Sequence, residues 1–283
     1  TLLKNAGVTE DIYDLQKNGT WTLDKMLEMA KKATKKSNDG KSDTWGIVED
    51  EYSFLRHLIV ANGVDFIKEV DGNYSFGLDD PKALDAMTTY QKLYTVDKIL
   101  LPQQEMSDRA YGKNLFVEGK AAFIISYPRL TDVLEMMTDD FGAVLFPKVG
   151  ESGEYTSIYD WSFAYFIPST VKDPQVVGAF ANQFFAPYNE NYAKENLVEQ
   201  FKIQNSKAYR DSRVLNETFE LAFNGGLSMQ KYFMFFDGQD VWDDTNGIYT
   251  LYRDLSLGAK TPAAAVEALM PRANGLIAEK LAK

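Results

Sequence analysis

The sequence of 283 residues predicts an α/β fold. Short apolar runs of strand length, such as 121–126, alternate with longer stretches in which apolar residues recur at helical spacing. From Asp173 to about residue 223 the pattern becomes almost entirely helical. Alternating strands and helices are typical of α/β proteins, and the helical block indicates an excursion into a second lobe.

The first well-marked element is a helix that begins after Thr22. The side chain of Thr22 can cap the helix, and Asp24 in the first turn faces the positive end of the helix dipole. The helix has one apolar stripe, formed by Leu23, Met26, Leu27, Ala30 and Ala33. Trp21 directly precedes the cap, and we expect it to pack the start of the helix as an amphipathic wedge.

The remaining elements follow from apolar periodicity and from Gly, Pro and Asn-Gly turn signals. In order, they are a strand at 44–48, a helix at 52–61, a hairpin at 66–76, a helix from Pro81, a helix at 109–118, a buried strand at 121–126, a helix at 130–137, and strands at 141–146 and 161–167. After the helical block come a helix at 248–257 and a last helix from Pro262 to about residue 281, capped by Thr261.

Composition excludes several classes of function. The net charge of −11 would repel a phosphate backbone or an anionic lipid surface, so we expect neither nucleic acid nor membrane lipid as a partner. The chain has no cysteine, which excludes disulfides and thiolate metal sites, and its one histidine, His57, lies on an apolar helix where packing is expected. We predict no metal site, no cofactor and no enzymatic activity.

Several short sequence segments, taken in their order along the chain, together resemble those of a known protein family. They are LLKNAGV at 2–8, TWTLDKM at 20–26, WGI at 45–47, LIVANG at 58–63, FVEGKAAF at 116–123, FAYFIP at 163–168 and GAKTPAAAV at 258–266. The set resembles the carbohydrate-type extracellular solute-binding proteins of ABC importers, a maltose-binding-protein-like group. The resemblance covers nearly all of the chain, and the string at 116–123 is its most specific part.

The resemblance implies a periplasmic-binding-protein-like fold of two lobes. It further implies that this chain holds mostly the second lobe, at 1–168 and 225–283, with helices of the first lobe at 169–224. The opening residues match the end of a helix stopped at Gly7, so the resemblance leads us to expect a signal sequence and most of a first lobe upstream.

The function implied by the resemblance is that of an extracytoplasmic receptor. Such a protein, either a cell-surface lipoprotein or a periplasmic monomer, captures a sugar or oligosaccharide between its lobes and delivers it to the membrane permease of an ABC importer. No apolar run in the sequence approaches the roughly 20 residues that would cross a bilayer.

Sugar sites combine aromatic faces with a few placed polar groups, and this chain offers that mixture at four places. By position, Glu51 matches an acidic residue of the family, and Arg129 stands where the family places a large ring. Trp242, between two aspartates, is the best single candidate for a stacking ring. The predicted ligand-binding residues are Glu51, Tyr52, Arg56, Tyr127, Arg129, Asp160, Trp161, Asp240, Trp242 and Asp243.

Three alternatives stay open at this level. The same fold could take a non-sugar solute, such as a peptide or a polyamine. A glycoside hydrolase would need two carboxylates about 5–10 Å apart, for which Asp240 with Asp243, or Glu51 with Asp160, are candidate pairs. A calcium loop near 237–244 is disfavoured because its glycine is misplaced for an EF-hand.

Overall fold

The computed structural model describes residues 1–36, 42–49, 53–102, 111–126, 134–159, 167–189, 199, 202–203, 205–224, 227–229, 235–236 and 247–282. Its first half contains α1 (Leu2–Asn5), α2 (Ile12–Lys17), α3 (Leu23–Ala33), β1 (Lys35–Lys36), β2 (Ser42–Glu49), α4 (Ser53–Ala61), β3 (Ile67–Val70), β4 (Asn73–Phe76), α5 (Pro81–Thr95), α6 (Tyr111–Val117) and β5 (Ala121–Ile125). The second half contains β6 (Ser157–Tyr159), α7 (Pro174–Asn189), a π-helical turn (Val214–Thr218), α8 (Phe219–Asn224), β7 (Leu227–Met229), α9 (Tyr249–Ser256) and α10 (Pro262–Leu281).

The strands form three small sheets within the described ranges. One sheet has the order β1-β2-β5, in which β2 and β5 are parallel. The strands β6 and β7 make a second parallel pair, and β3 with β4 makes an antiparallel hairpin. Parallel strands separated by helices confirm the predicted α/β class.

The hairpin turn lies where the sequence predicts it. Asp71 and Gly72 have φ values of +51° and +78°, and these two residues connect strands whose register pairs Val70 with Asn73. Positive φ at both central positions is the geometry of a type I′ turn, whose twist matches that of the flanking strands. The Asp-Gly signal therefore sets the register of the hairpin.

The start of α3 also confirms its prediction. The hydroxyl of Thr22 accepts a hydrogen bond from the backbone N–H of Lys25 at 3.4 Å. Trp21 is 1% exposed, and its Nε1–H donates to the carbonyl of Leu145 at 3.0 Å, which is the packed role predicted for it. Gly46 of β2 lets the strand approach α3, because a Cβ there would lie 2.5 Å from the carbonyl oxygen of Ala30.

Among the residues that the structure describes, two apolar clusters form the core. The larger joins α3, α4 and α5 with the hairpin and with α9 and α10, and its biggest fully buried side chains include Trp21, Phe54, Phe66 and Tyr90. His57 packs here as expected, with its ring stacked on Phe146 at a centroid distance of 5.3 Å. The smaller cluster lies on the other side of β2 and β5 and includes Trp45, Val48, Phe116, Tyr209 and Phe219.

Residues 208–219 pack back onto α2 through both apolar and polar contacts. Arg213 donates to the carboxylate of Asp11 at 2.7 Å and lies 4.1 Å from the ring centroid of Tyr13. Below this partly exposed pair, the buried amide of Gln16 donates to the hydroxyl of Thr218 at 3.0 Å. The buried bond fixes the π-helical turn against α2, whereas exposed ion pairs of this kind contribute little to stability.

Helix α7 presents an apolar stripe to solvent. Phe180 and Phe184 are 69% and 62% exposed, and their rings stack at a centroid distance of 6.1 Å. Val176 and Val177 lie on the same helix and are also exposed. An exposed apolar stripe of this kind is typical of a surface that packs against another domain or protein.

One predicted strand is wrong in the structure. Residues 141–146 form no regular strand, and the one bridge in this segment joins Phe146 to Thr156. The apolar pattern matches that of a strand, but a ladder needs a partner, and a cavity lies beside this segment instead. The predicted strand at 161–167 and most of the helix at 130–137 lie outside the described residues.

The last helix begins at its predicted cap. The hydroxyl of Thr261 accepts from the backbone N–H of Ala264 at 3.3 Å, and Pro262 occupies the first helical position. Within the described ranges, no helix combines the length and the apolar character needed to cross a membrane.

Replacing Thr261 by alanine is expected to lower the free energy of unfolding by about 1 kcal/mol, because an N–H in the first turn of α10 loses its acceptor. Urea denaturation monitored by circular dichroism measures the change. Thr261→Ser keeps the hydroxyl and should stay close to the wild type. Equal losses in both variants would contradict a capping role.

Candidate functional site

The predicted site residues follow the carboxyl ends of parallel strands. The register of β2 and β5 pairs Glu49 with Ile125, so these two strands end side by side. Glu51 and Tyr52 follow the end of β2, and Tyr127 and Arg129 follow the end of β5; all four lie outside the described residues. Ligands of open α/β sheets bind in the crevice beyond such ends.

The second parallel pair repeats this arrangement. The register of β6 and β7 pairs Tyr159 with Met229. Asp160 and Trp161 directly follow the end of β6, whereas Asp240, Trp242 and Asp243 come further along the chain after β7, and all five lie outside the described residues. Each of the four predicted binding stretches therefore comes, in chain order, after one strand of these two parallel pairs.

Arg56 lies within the described part of the chain. It is on α4, one turn from the start of the helix, and is 9% exposed. The helix around it is buried on most of its faces. The assignment of Arg56 to ligand binding stays a prediction, as do the assignments of the other site residues.

A buried carboxylate holds the end of β2 in place. Glu49 is 1% exposed, and its Oε1 accepts from the hydroxyls of Tyr90 and Tyr94 at 2.6 and 2.5 Å. Its Oε2 accepts from the backbone N–H of Phe54 at 3.0 Å, at the start of α4. Charge-assisted bonds of this kind are stronger than neutral ones, and the negative charge also faces the positive end of the helix dipole.

This network was not predicted from the sequence. Two features of the sequence are consistent with it. A glutamate stands at the end of an apolar strand, and two tyrosines lie one helical turn apart on α5, where they fall on the apolar face of the helix. Tyr90 and Tyr94 also contact each other, with hydroxyl oxygens 3.2 Å apart. What the sequence does not give is the packing of α5 against the end of β2, which brings these groups together.

The start of α4 is also hydrogen-bonded to the neighbouring strand, β5. The hydroxyl of Ser53, the first residue of α4, donates to the carbonyl of Ile125 at 2.6 Å. The Nδ1 of His57 lies 2.7 Å from the carbonyl oxygen of Ser53. Both strand ends are therefore linked to the start of α4, which fixes the two ends of the segment that carries Glu51 and Tyr52.

Because several tyrosine hydroxyls are buried, the free energy of unfolding is expected to depend on pH in the alkaline range. Burial, and next the charge of Glu49, raises the pKa of Tyr90 well above its ordinary value. Burial raises the pKa of Tyr209 to about 12, and burial followed by the charge of Asp211 raises the pKa of Tyr13. Unfolded tyrosine titrates near pH 10, so above that pH the unfolded chain releases phenolic protons that the folded chain retains.

We therefore expect full stability from these groups below pH 10 and a loss above it of about 1.4 kcal/mol per pH unit for each buried phenol. Urea denaturation at pH 9, 10 and 11 measures the slope. Tyr209→Phe should make the slope shallower by the share of one phenol. A slope unchanged by this substitution would show that Tyr209 does not contribute.

Among the described residues, no group of three or more acidic or histidine side chains is arranged to hold a metal ion. The residues at the two pairs of strand ends offer hydrogen-bonding and stacking groups.

The fold and its paired parallel strands are those of the periplasmic-binding-protein-like, two-lobe class. The family model described as "Bacterial extracellular solute-binding protein" matches residues 1–191. The chain belongs to this family. A comparison with curated proteins gives no match.

Solved structures agree on the fold. A maltose/maltodextrin-binding domain from Bdellovibrio bacteriovorus, bound to maltotriose, is 22% identical with a TM-score of 0.62, covering 93% of this chain and 67% of that one. A substrate-binding protein from Listeria monocytogenes, in complex with cycloalternan, is 16% identical with a TM-score of 0.63, covering 98% and 67%. UgpB from Mycobacterium tuberculosis, in complex with glycerophosphocholine, is 14% identical with a TM-score of 0.63, covering 99% and 67%.

The chain thus spans about two thirds of the length of these solved structures. The fold predicted from the resemblance is confirmed by both the family match and the structural matches.

Proposed function

We propose that this protein is the extracytoplasmic receptor of a bacterial ABC importer and that it binds a sugar or oligosaccharide in a cleft between two lobes. The observation that carries the proposal is the family match over residues 1–191. It is supported by the two pairs of parallel strand ends, since three of the four predicted binding stretches begin within two residues of such an end and the fourth comes later in the chain, after β7.

The choice of a carbohydrate rests on chemistry and on two of the structural matches. Indole rings stack on the apolar face of a pyranose, and carboxylates accept from its hydroxyls, so Trp161, Trp242 and the neighbouring aspartates suit a sugar. The proteins from Bdellovibrio and Listeria are bound to maltotriose and cycloalternan. The glycerophosphocholine complex makes a non-sugar solute the second candidate.

The mechanism we propose is capture by closure. A ligand that contacts both lobes favours the closed state over the open state, because closure adds contacts that the open state lacks. The closed form is then recognised by a membrane permease. Capture of this kind leaves the ligand chemically intact, so the proposal excludes turnover.

The exposed stripe of α7 fits this arrangement. We assign α7 to the first lobe, where Phe180 and Phe184 would be covered by apolar contacts. The contacts of Tyr209, Arg213 and Thr218 with α2 and its surroundings support placing that segment with the second lobe, earlier than the predicted boundary at residue 224.

Isothermal titration calorimetry against maltotriose, cyclic glucans, monosaccharides, glycerophosphocholine and a short peptide tests the proposal. We expect heat from at least one carbohydrate when the chain is joined to the first lobe that the resemblance implies, with affinity reduced tenfold or more in Trp242→Ala of that protein. Glu151→Gln, a change at an exposed loop position, should bind as the wild type does. Chromatography after incubation should recover the oligosaccharide intact.

Other outcomes assign other functions. Binding of glycerophosphocholine or the peptide without any sugar would replace the carbohydrate by the second candidate. Release of shorter sugars would replace the receptor by a glycoside hydrolase. No binding by the two-lobed protein, if it unfolds cooperatively, would refute the proposed cleft.

A further inference from the structure

Asparagine followed by glycine is a sequence that can modify itself, and it occurs five times in this chain. The backbone nitrogen of such a glycine can attack the side-chain amide carbon of the asparagine, because glycine has no Cβ to hinder the approach. Three of the pairs, Asn18-Gly19, Asn62-Gly63 and Asn274-Gly275, lie wholly within the described residues. The surroundings of these three pairs decide which of them can react in the folded protein.

Two of the pairs end their helices with the same backbone geometry. Asn18 follows α2 and Asn62 follows α4, and the next residues, Gly19 and Gly63, have φ values of +71° and +78°. In each case the glycine N–H donates to the carbonyl three residues earlier, and the next N–H donates to the carbonyl five residues earlier. Both turns are therefore Schellman motifs, and the two pairs form a matched comparison.

The side chains of these two asparagines are held differently. The Nδ2 of Asn62 donates to the carbonyl of Leu58 at 2.7 Å, which ties the amide back along the helix and away from Gly63. Asn18 is exposed, and no hydrogen bond within the described part of the chain uses its side chain. The amide of Asn18 can therefore turn toward Gly19 without breaking a bond.

The third pair lies inside a helix and is held on both sides. Asn274-Gly275 is part of α10, and the Oδ1 of Asn274 accepts from the backbone N–H of Phe76 at 2.8 Å. The N–H of a residue in the middle of an α-helix is also engaged in the helical ladder. Reaction at this pair would break both the helix and its contact with the hairpin.

The helix before Asn18 is also easier to open than the helix before Asn62. Helix α2 has six residues, of which Tyr13 and Gln16 are buried, whereas α4 has nine residues, of which eight are buried. Short helices with few buried side chains fray at low cost in free energy. Fraying at the end of α2 releases the N–H of Gly19 for reaction.

A positive charge lies beside the turn after α2. The Nζ of Lys148 is 3.7 Å from the point that a Cβ on Gly19 would occupy, and the backbone of Lys148 pairs with that of Thr22. The attacking nitrogen must lose its proton, and a nearby ammonium stabilises the negative charge that results. At Gly63 and Gly275 the corresponding point has no described neighbour from another part of the chain within 4 Å.

We propose that Asn18 is a self-modification site, which converts in the folded protein to aspartate and β-linked aspartate with the assistance of Lys148. The backbone nitrogen of Gly19 loses its proton and bonds the side-chain carbonyl carbon of Asn18, and the amide nitrogen takes up a proton and leaves as ammonia. Water then opens the cyclic imide at one of its two carbonyls, which gives the normal or the β-linked product. One water is consumed, one ammonia is released, and nothing is oxidised or reduced.

The β-linked product disturbs the placement of Trp21. A β-linkage adds one carbon atom to the main chain of the turn, in which the N–H groups of Thr20 and Trp21 both donate to the carbonyl of Leu15, at 2.8 and 3.0 Å. The new carboxylate also lies at the negative end of the α2 dipole. The modified protein is therefore less stable than the original one, and this consequence does not rest on the proposed solute or on its cleft.

The experiment is peptide mapping by mass spectrometry after incubation at pH 8, with the chain folded and, in parallel, unfolded in urea. Each conversion adds about 1 Da to the peptide that contains the asparagine. In urea we expect Asn18, Asn62 and Asn274 to react at similar rates, because only the local sequence acts there. In the folded chain Asn18 should react at least tenfold faster than the other two. Folded Asn62 or Asn274 reacting as fast as Asn18 overturns the proposal.

Two variants test the assistance by Lys148. Lys148→Gln should slow the reaction of Asn18 threefold or more in the folded chain and leave the rate in urea unchanged. Lys68→Gln, which removes an exposed charge on β3, is the matched control and should react as the wild type does. Equal rates in the two folded variants overturn the assistance.

The effect on Trp21 is tested by urea denaturation of the β-linked protein, separated by ion exchange. It should unfold at a lower urea concentration than Asn18→Asp, which carries the same charge without the extra main-chain atom. Equal midpoints overturn the inferred effect on Trp21.

Discussion

Replacing Trp21 by alanine is expected to lower the free energy of unfolding by about 3–5 kcal/mol, the range for truncating a large buried aromatic. Trp21 is 1% exposed, its ring lies 6.0 Å from that of Phe123, and its Nε1–H bonds the carbonyl of Leu145. The substitution leaves a cavity at the junction of α3, β5 and the 141–147 segment. It also leaves the Leu145 carbonyl without this donor.

Urea denaturation of the wild type, Trp21→Ala and Trp21→Phe measures this effect. The phenylalanine variant keeps an aromatic ring but loses the hydrogen bond and part of the volume, so we expect an intermediate loss. Thr20→Ala, at the exposed neighbouring position, is the control and should change stability by less than about 0.5 kcal/mol. A loss below about 1 kcal/mol in Trp21→Ala would contradict the wedge role.

Local features of the fold could be predicted because their causes are local. Thr22 and Thr261 cap helices through their own side chains, and Asp71-Gly72 forms its turn through its own backbone preferences. Each feature needs a few neighbouring residues and no distant partner. The sequence therefore indicates these boundaries to within one or two positions.

Features that depend on distant partners could not be predicted in the same way. The strand pattern of 141–146 is real, yet a strand forms only where another backbone pairs with it, and the groove beside β5 takes that place. The pairing of Glu49 with Tyr90 likewise requires α5 to pack on the end of β2. Periodicity states which face is buried but not which element covers it.

The candidate site could be predicted in part, because it combines local features with features that depend on distant partners. The sequence indicates that Glu51 and Tyr127 follow apolar strands, and the structure pairs those two strands in parallel, with their ends side by side. The strand that ends just before Asp160 was not predicted, and it pairs in parallel with β7. That juxtaposition is a property of the sheet and not of the turn residues. The choice of individual side chains for ligand contact stays a prediction.

Replacing Glu49 by alanine is expected to lower the free energy of unfolding by about 3–5 kcal/mol, because donors in a buried site lose their acceptor. The hydroxyls of Tyr90 and Tyr94 and the N–H of Phe54 all bond this carboxylate. Tyr90→Phe and Tyr94→Phe each remove one donor and keep the ring, so we expect smaller losses of about 1–3 kcal/mol.

A double-mutant cycle separates the network from simple loss of packing. If the bonds act as described, Tyr90→Phe in the Glu49→Ala background should cost less than it does in the wild type, because the donor already lacks its acceptor. Equal costs in the two backgrounds would mean that the carboxylate and the phenol do not interact. Urea denaturation at pH 7 measures all four proteins.

A binding measurement on a variant of the network tests whether the network supports the proposed site. Glu49 connects the end of β2 to the start of α4, and the segment between them carries Glu51 and Tyr52. In conditions where Tyr94→Phe stays folded, calorimetry with the sugar bound by the wild type should give a weaker affinity, because the turn is held less firmly. Gln91→Ala, on the same helix but bonded to Leu255 and Lys260, is the control. Equal affinity in Tyr94→Phe and Gln91→Ala would restrict the network to stability.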